Sequence, residues 1–302
     1  ALSEWVTNTL AQFGDTRLMG PLLPEDVRPL SFDFRYAASG DDRVFSFNGE
    51  LRNAQVEDGR GGMVALYGND LEVVSAAGER GEEDNGYITL LDEDLNQLGA
   101  TVLGVGVNRY ASQPTPISAA GKTVIRSGAT LRAGSLLIGG SGQDAVVVES
   151  GAVLDSRGQG QAGWSAENGF LISPGADMAL LTVSNDRMQF GAASGSGTIR
   201  IEDGAGLYGE GTLALSAPGG LEIGDISLAA SDLLLSMEDI NIGEEAALAA
   251  AEAQGVLSGG WQLNQTTLDG LLALGELESL SLQASDAINF IGSVSLDTYD
   301  DN

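Results

Sequence analysis

The chain has 302 residues, with 43 Asp and Glu against 14 Lys and Arg for a formal net charge of −29, and it contains neither histidine nor cysteine. So acidic a surface argues against nucleic acid or an anionic membrane as a partner. The missing residue types exclude disulfides, Ser-His-Asp and Cys-His catalysis and the usual zinc, copper, haem and iron–sulfur sites.

Residues 1–30 read as a connecting segment, with a short helix over Trp5–Phe13 followed by Pro21, Pro24 and Pro29. The opening Ala1-Leu-Ser-Glu-Trp5 has no initiator methionine and no basic stretch, and reads as part of a longer chain trimmed of any signal peptide. No run of 18 apolar residues occurs, so no membrane-spanning helix is expected. Residues 31–302 read as a single domain. Over 31–120 short strands such as Val44–Phe47, Met63–Tyr67, Leu71–Val74 and Tyr87–Leu91 alternate with Gly, Asn and Asp turns, as irregular coils.

From 121 to 243 the coils become regular. One phrase occurs four times: Ile125-Arg-Ser-Gly128-Ala-Thr-Leu131, Val148-Glu-Ser-Gly151-Ala-Val-Leu154, Ile172-Ser-Pro-Gly175-Ala-Asp-Met178 and Ile201-Glu-Asp-Gly204-Ala-Gly-Leu207. Such a recurrence is the mark of a solenoid, in which each repeat buries its apolar face only against the next. A second phrase follows, as Leu213-x-Leu215-x-Ala217 then Leu221-x-Ile223, Leu233-x-Leu235-x-Met237 then Ile240-x-Ile242, and Leu280-x-Leu282-x-Ala284 then Ile288-x-Phe290. Its period of two puts one face of each strand inward. Between the last two copies, residues 244–279 form a helical insertion. Glu244–Gln254 is rich in helix formers with Gly255 beyond its end, and a second short helix is expected over Thr267–Leu274. Residues 280–302 are the last coil and a polar tail.

The predicted fold is all-β: a right-handed parallel β-helix with a short helical insertion near 244–279. At ~22 residues and ~4.8 Å per coil it would make a rod ~60 Å long with two open ends.

The stretch Tyr87-Ile-Thr-Leu-Leu-Asp-Glu-Asp-Leu-Asn-Gln-Leu-Gly-Ala100, the Gly-Ala coils, Gly259-Gly-Trp-Gln-Leu263 and Ile288-Asn-Phe-Ile-Gly-Ser-Val-Ser-Leu-Asp-Thr298 together resemble the β-helical passenger region of filamentous-haemagglutinin-like exoproteins, over roughly residues 60–298. The resemblance implies a large bacterial surface protein exported by two-partner secretion, located outside the cell, with an adhesive or structural role and no catalytic residues.

Candidate site residues are few. Gly139-Gly-Ser-Gly-Gln-Asp144-Ala-Val-Val147 fits one copy of the nine-residue calcium β-roll phrase, and a glycine-rich corner explains it equally. Acid clusters at Asp41-Asp42, Glu82–Asp84, Asp92–Asp94 and Asp300-Asp301 read as solvated loops, with Asp144, Asp92 and Asp94 as the calcium candidates. No cofactor is expected, with calcium as the one candidate. Trp164 and Trp261 are the candidate ligand contacts, with Trp5 behind them. Asn241 and Asn289 occupy matching places in the second phrase and would stack as a ladder. Gly104-Val-Gly106 opens no helix and is not a dinucleotide fingerprint. The expected function is presentation of a rigid acidic rod for adhesion or for filament and biofilm assembly, with self-association or neighbouring coils and surface or matrix polysaccharide as partners. The alternative is a polysaccharide-degrading β-helix enzyme.

Overall fold

In the computed structural model of the protein the described residues are 27–36, 44–49, 51, 59–76, 86–108, 118–119, 121–164, 171–257, 260–272 and 277–295. Trp5, the expected N-terminal helix, the acid clusters at 41–42, 82–84 and 300–301, and the polar tail over 297–302 lie outside them. The protein is mostly β, with long parallel sheets.

The longest sheet has nine strands in the order β1 (Leu30–Asp33), β3 (Met63–Tyr67), β6 (Val102–Val105), β11 (Ser135–Ser141), β15 (Met178–Ser184), β19 (Thr212–Ser216), β22 (Asp232–Gly243) and β23 (Trp261–Asn264), with β24 (Ser279–Ile291) also paired to β22. A seven-stranded sheet runs β2 (Val44–Phe45), β5 (Ile88–Leu91), β4 (Leu71–Val74), β9 (Thr123–Ile125), β12 (Val146–Val148), β17 (Thr198–Ile201), β20 (Gly220–Ile223). A four-stranded sheet runs β10 (Thr130–Arg132), β13 (Val153–Asp155), β18 (Gly206–Tyr208), β21 (Ser227–Ala229), and β7 (Val107–Asn108) pairs antiparallel with β8 (Ser118–Ala119). Their inward residues meet in one core that includes Leu71, Ile125, Leu131, Leu136, Val148, Leu154, Ile201, Leu207, Leu213 and Leu233, all at most 1% exposed.

The Gly-Ala phrase is a corner between the seven- and four-stranded sheets. Ala129, Ala152 and Ala205 donate their amides to the carbonyls of Arg126, Glu149 and Glu202, closing three equivalent turns. Gly128, Gly151 and Gly204 are the third residues of these turns, at φ of 81°, 76° and 80°. That is the conformation a type II turn requires there, and glycine adopts it without penalty. The alanine methyls behind them are fully buried, since a larger side chain would not fit inside the corner.

The third copy of the phrase departs from this pattern. Its turn closes from the Met178 amide to the Gly175 carbonyl, so the residue with positive φ is Asp177, at 61°, and not Gly175. The strands on either side pair past it: Val146 with Ile199, and Val153 with Gly206. The described residues between 156 and 197 therefore leave the regular sequence of strands. They lay the pair β14 (Leu171–Ile172) and β16 (Gln189–Phe190) down beside it and insert β15 antiparallel between β11 and β19. Two reversals restore the direction, so β19 again runs with β11. The physical reason is apolar area. The outer face of the long sheet carries Met63, Ala65, Val102, Leu137, Leu180, Ala214 and Leu234, and the excursion covers it with Trp164, Ile172, Met188 and Phe190. From β3 to β19 the long sheet is buried on both faces.

The second phrase also divides. Leu213, Leu233 and Leu280 are stacked partners, as are Leu215, Leu235 and Leu282. Beyond them the first copy turns at Pro218-Gly219 into β20 of the seven-stranded sheet, whereas β22 and β24 run straight on past a bulge at Met237–Asp239. Proline has no amide to continue the ladder, which ends β19 there. Asn241 and Asn289 are register partners, and the Asn289 Nδ2 donates to Asn241 Oδ1 at 2.9 Å. The insertion holds α2 (Glu245–Ala253), β23 and α3 (Gln265–Leu272), which docks through the buried Leu248, Leu263 and Leu268.

A helix not anticipated from the sequence, α1 (Asp92–Gln97), occupies the acid cluster. Its three acids lie in the first turn, where the helix dipole favours them. Asp92 Oδ2 accepts from the Thr130 amide, Asn96 Nδ2 donates to the Thr130 carbonyl, and Asn96 Oδ1 accepts from the Arg132 amide, all at 2.8 Å. These side chains replace a neighbouring strand and close the free edge of β10.

Candidate functional site

A concavity lies where the insertion overhangs the last strands of the seven-stranded sheet. Register places Arg200 of β17 directly beside Glu222 of β20. Both belong to the outward row that continues through Val147, Val124, Glu72 and Thr89. Above them β23 brings Trp261, Gln262 and Asn264 across the groove. One cleft of about 770 Å³ is lined by these residues together with Glu202, Asp203 and Thr267. A second of about 390 Å³ adds Gln143 and Asp144 and shares Arg200, Glu222, Trp261 and Gln262 with the first, so the two form one groove.

Most of the polar lining is held in place. Arg200 sits between carboxylates, its Nε 3.7 Å from Asp144 Oδ1 and its NH1 on Glu202 Oε1. Glu202 Oε2 also accepts from the Ser150 amide at 3.2 Å, and Asp203 Oδ1 from the Asp225 amide at 2.7 Å. Gln262 Nε2 donates to Glu252 Oε2 at 3.0 Å. Asn264 precedes α3 and accepts the Thr267 amide at 2.8 Å, the bond of a helix N-cap. Trp261 is half-buried: part of the indole packs on the core and part faces the groove. The result is an open groove with an aromatic wall and preset hydrogen-bonding groups around it.

Of the residues singled out from the sequence, Trp261 and Asp144 meet in this groove. Asp144, at φ 49°, sits in the turn between β11 and β12 and takes up the Thr198 hydroxyl through its own amide. The Arg200 guanidinium beside its carboxylate opposes a divalent cation there. Asp92 is engaged on β10, and Asp94 Oδ2 is buried on α1 without a hydrogen-bond partner among the described residues. Among those residues no three carboxylates gather as a metal site would require. Trp164 is not on the surface. It is 3% exposed, and its Nε1 donates to the Gly61 carbonyl at 3.2 Å, so it anchors the excursion over the long sheet. Arg200, Glu222, Gln262 and Asn264 were not anticipated. Aligning Thr198-Ile-Arg-Ile201 on Gly220-Leu-Glu-Ile223 as successive strands would have exposed the first two.

Two other polar clusters are structural ties. Glu72, 1% exposed, accepts from Thr89 Oγ1 at 2.8 Å and from Arg126, which also bonds Glu149 at 2.7 Å and lies over the Tyr87 ring. Asn185 and Asp186 pin the loop 156–164. Asn185 Oδ1 accepts from Ser156 Oγ and its Nδ2 donates to the Gly160 carbonyl. Asp186 Oδ2 accepts the Ala162 amide at 2.9 Å. Burial pushes the Asp186 carboxyl above its usual range, against the backbone amides of Ala162, Trp164 and Gly163 that favour its charge.

Comparison of the chain with protein-family models, with curated proteins and with solved structures gives no match.

Proposed function

We propose that this chain is a non-enzymatic segment of a large secreted bacterial surface protein, wound as a right-handed parallel β-helix that holds an acidic surface and a lateral groove away from the cell for adhesion or filament assembly. One observation carries the reading. Equivalent residues of successive repeats stack in register around a single core: Leu131 on Leu154, Leu207 and Leu228, and Leu213 on Leu233 and Leu280. Such stacking grows by adding repeats and favours a long surface over an enclosed pocket. The absence of His and Cys from the whole chain and the large acid excess fit a display role in water better than catalysis. The likeness to filamentous-haemagglutinin-type passengers points the same way.

Small-angle scattering tests the shape. An elongated body gives a skewed pair-distance distribution with a long tail, and a symmetric, bell-shaped distribution overturns the reading. Incubation with plant and bacterial polysaccharides tests the chemistry. No release of reducing or unsaturated ends is expected, and steady release would make the protein an enzyme. Electron microscopy of producing cells should show thin stalks or filaments at the envelope that disappear when the gene is deleted.

A further inference from the structure

We propose that the groove between β17–β20 and the insertion binds an uncharged polysaccharide chain, a polymer of hexose or N-acetylhexosamine, with Trp261 as its stacking platform. This rests on the adhesive reading above and names where and with what the contact is made.

Three properties of the groove point to that chemistry. The half-buried Trp261 offers a flat apolar surface bordering both clefts, and the C–H face of a pyranose ring is apolar and flat. Its surroundings are planar polar groups: the Arg200 guanidinium, the Glu222 and Glu202 carboxylates, and the Gln262 and Asn264 amides. Most of these are already held by bonds to their neighbours, so little side-chain freedom is lost when they meet the ring hydroxyls. Charge then selects the polymer. Asp144, Glu202, Asp203 and Glu222 face a single guanidinium, Arg200, which is itself shared between Asp144 and Glu202. A uronate or sulfated chain would meet net like charge, whereas a neutral chain meets hydrogen-bonding groups without that repulsion. The two clefts share their lining and run on into one another past Trp261, which suits a polymer better than a single small molecule.

The test is calorimetric titration of the full chain with chitohexaose, cellohexaose and maltohexaose, and with hexagalacturonate as the anionic control. At least one neutral oligosaccharide is expected to bind, and hexagalacturonate at least about tenfold more weakly. Trp261→Ala should weaken that binding about tenfold or more. Because the indole also packs on the core, Glu222→Ala, on an exposed side chain, serves as the second variant and should weaken binding severalfold with the melting temperature unchanged. No binding of any of the three at millimolar concentration, stronger binding of hexagalacturonate, or binding unaffected by both variants overturns the proposal. Beads coated with the wild-type protein and with the double variant, applied to the matrix of producing cells, separate the two readings. Equal adhesion by both overturns the groove and leaves the adhesive role standing. Oligosaccharide binding with no adhesion of wild-type beads supports the groove and overturns the adhesive role.

Discussion

Thr182 carries its hydroxyl into a fully buried place on β15 with no hydrogen-bond partner among the described residues. An unmet buried hydroxyl costs free energy that an apolar group of the same shape does not. Thr182→Val is therefore expected to leave stability unchanged or raise it by about 1 kcal/mol in urea unfolding. A loss of that size would mean that the hydroxyl is satisfied by water. Asp186 gives the opposite lesson, a buried acid that is well bonded yet held above its usual pKa range by desolvation. Between the ordinary aspartate value and the raised folded value, the native state binds more protons than the unfolded chain. Stability from this group therefore falls as pH rises through that window. Asp186→Asn cannot ionise and should flatten that part of the profile, measured as urea midpoints from pH 3.5 to 7; an unaltered slope would refute the assignment. Asp155, held low chiefly by its hydrogen bond to Arg157, acts in the other sense, its stabilisation fading as pH falls below the usual carboxylate range.

The elements show how edges and excursions are managed. The edge of β10 is closed by side chains of α1 and not by another strand, so Asn96→Ala frees the Thr130 carbonyl and the Arg132 amide together. A cost of about 1–2 kcal/mol is expected, with faster hydrogen exchange at Arg132 and concentration-dependent self-association through the bared edge. Unchanged exchange would show that α1 is not the cap. The insertion is continuous with the main core, because Leu263 and Leu268 belong to the same apolar cluster as the three sheets. Leu268→Ala should cost about 2–5 kcal/mol and shift one cooperative transition. A separate early transition confined to 244–279 would show instead that the insertion folds independently. The elements read from local pattern were found where apolar periodicity is strong: β3 and β4 coincide with their predicted spans, and α2 begins within a residue of its own. Helix α1 was missed because Asp92-Glu-Asp94 has the composition of a loop, and only the unpaired edge of β10, 38 residues on, gives those side chains their role.

For the whole molecule the governing quantity is the net charge of −29. Self-repulsion on this scale opposes compactness and is screened over about 10 Å at 0.1 M salt. The melting temperature should therefore rise by several degrees between 10 mM and physiological NaCl; no rise would mean that the carboxylates are dispersed or paired well enough to cancel. The sequence by itself determined what depends on neighbours along the chain. Strand-forming alternation, the Gly-Ala corners, the stacked leucines and asparagines of the second phrase, and the helical insertion all follow from local periodicity and turn chemistry. Tertiary structure alone decided what depends on which repeat lies beside which. The third Gly-Ala copy has the right residues in the right order. Yet it lies outside the register that joins the other three, and its segment covers the apolar outer face of the long sheet. The groove has the same origin. Arg200 and Trp261 are 61 residues apart, and no local pattern records that β23 pairs with β22 and swings its tryptophan over β20. Stacking distributes contacts by register between distant segments, and register is set by the whole core.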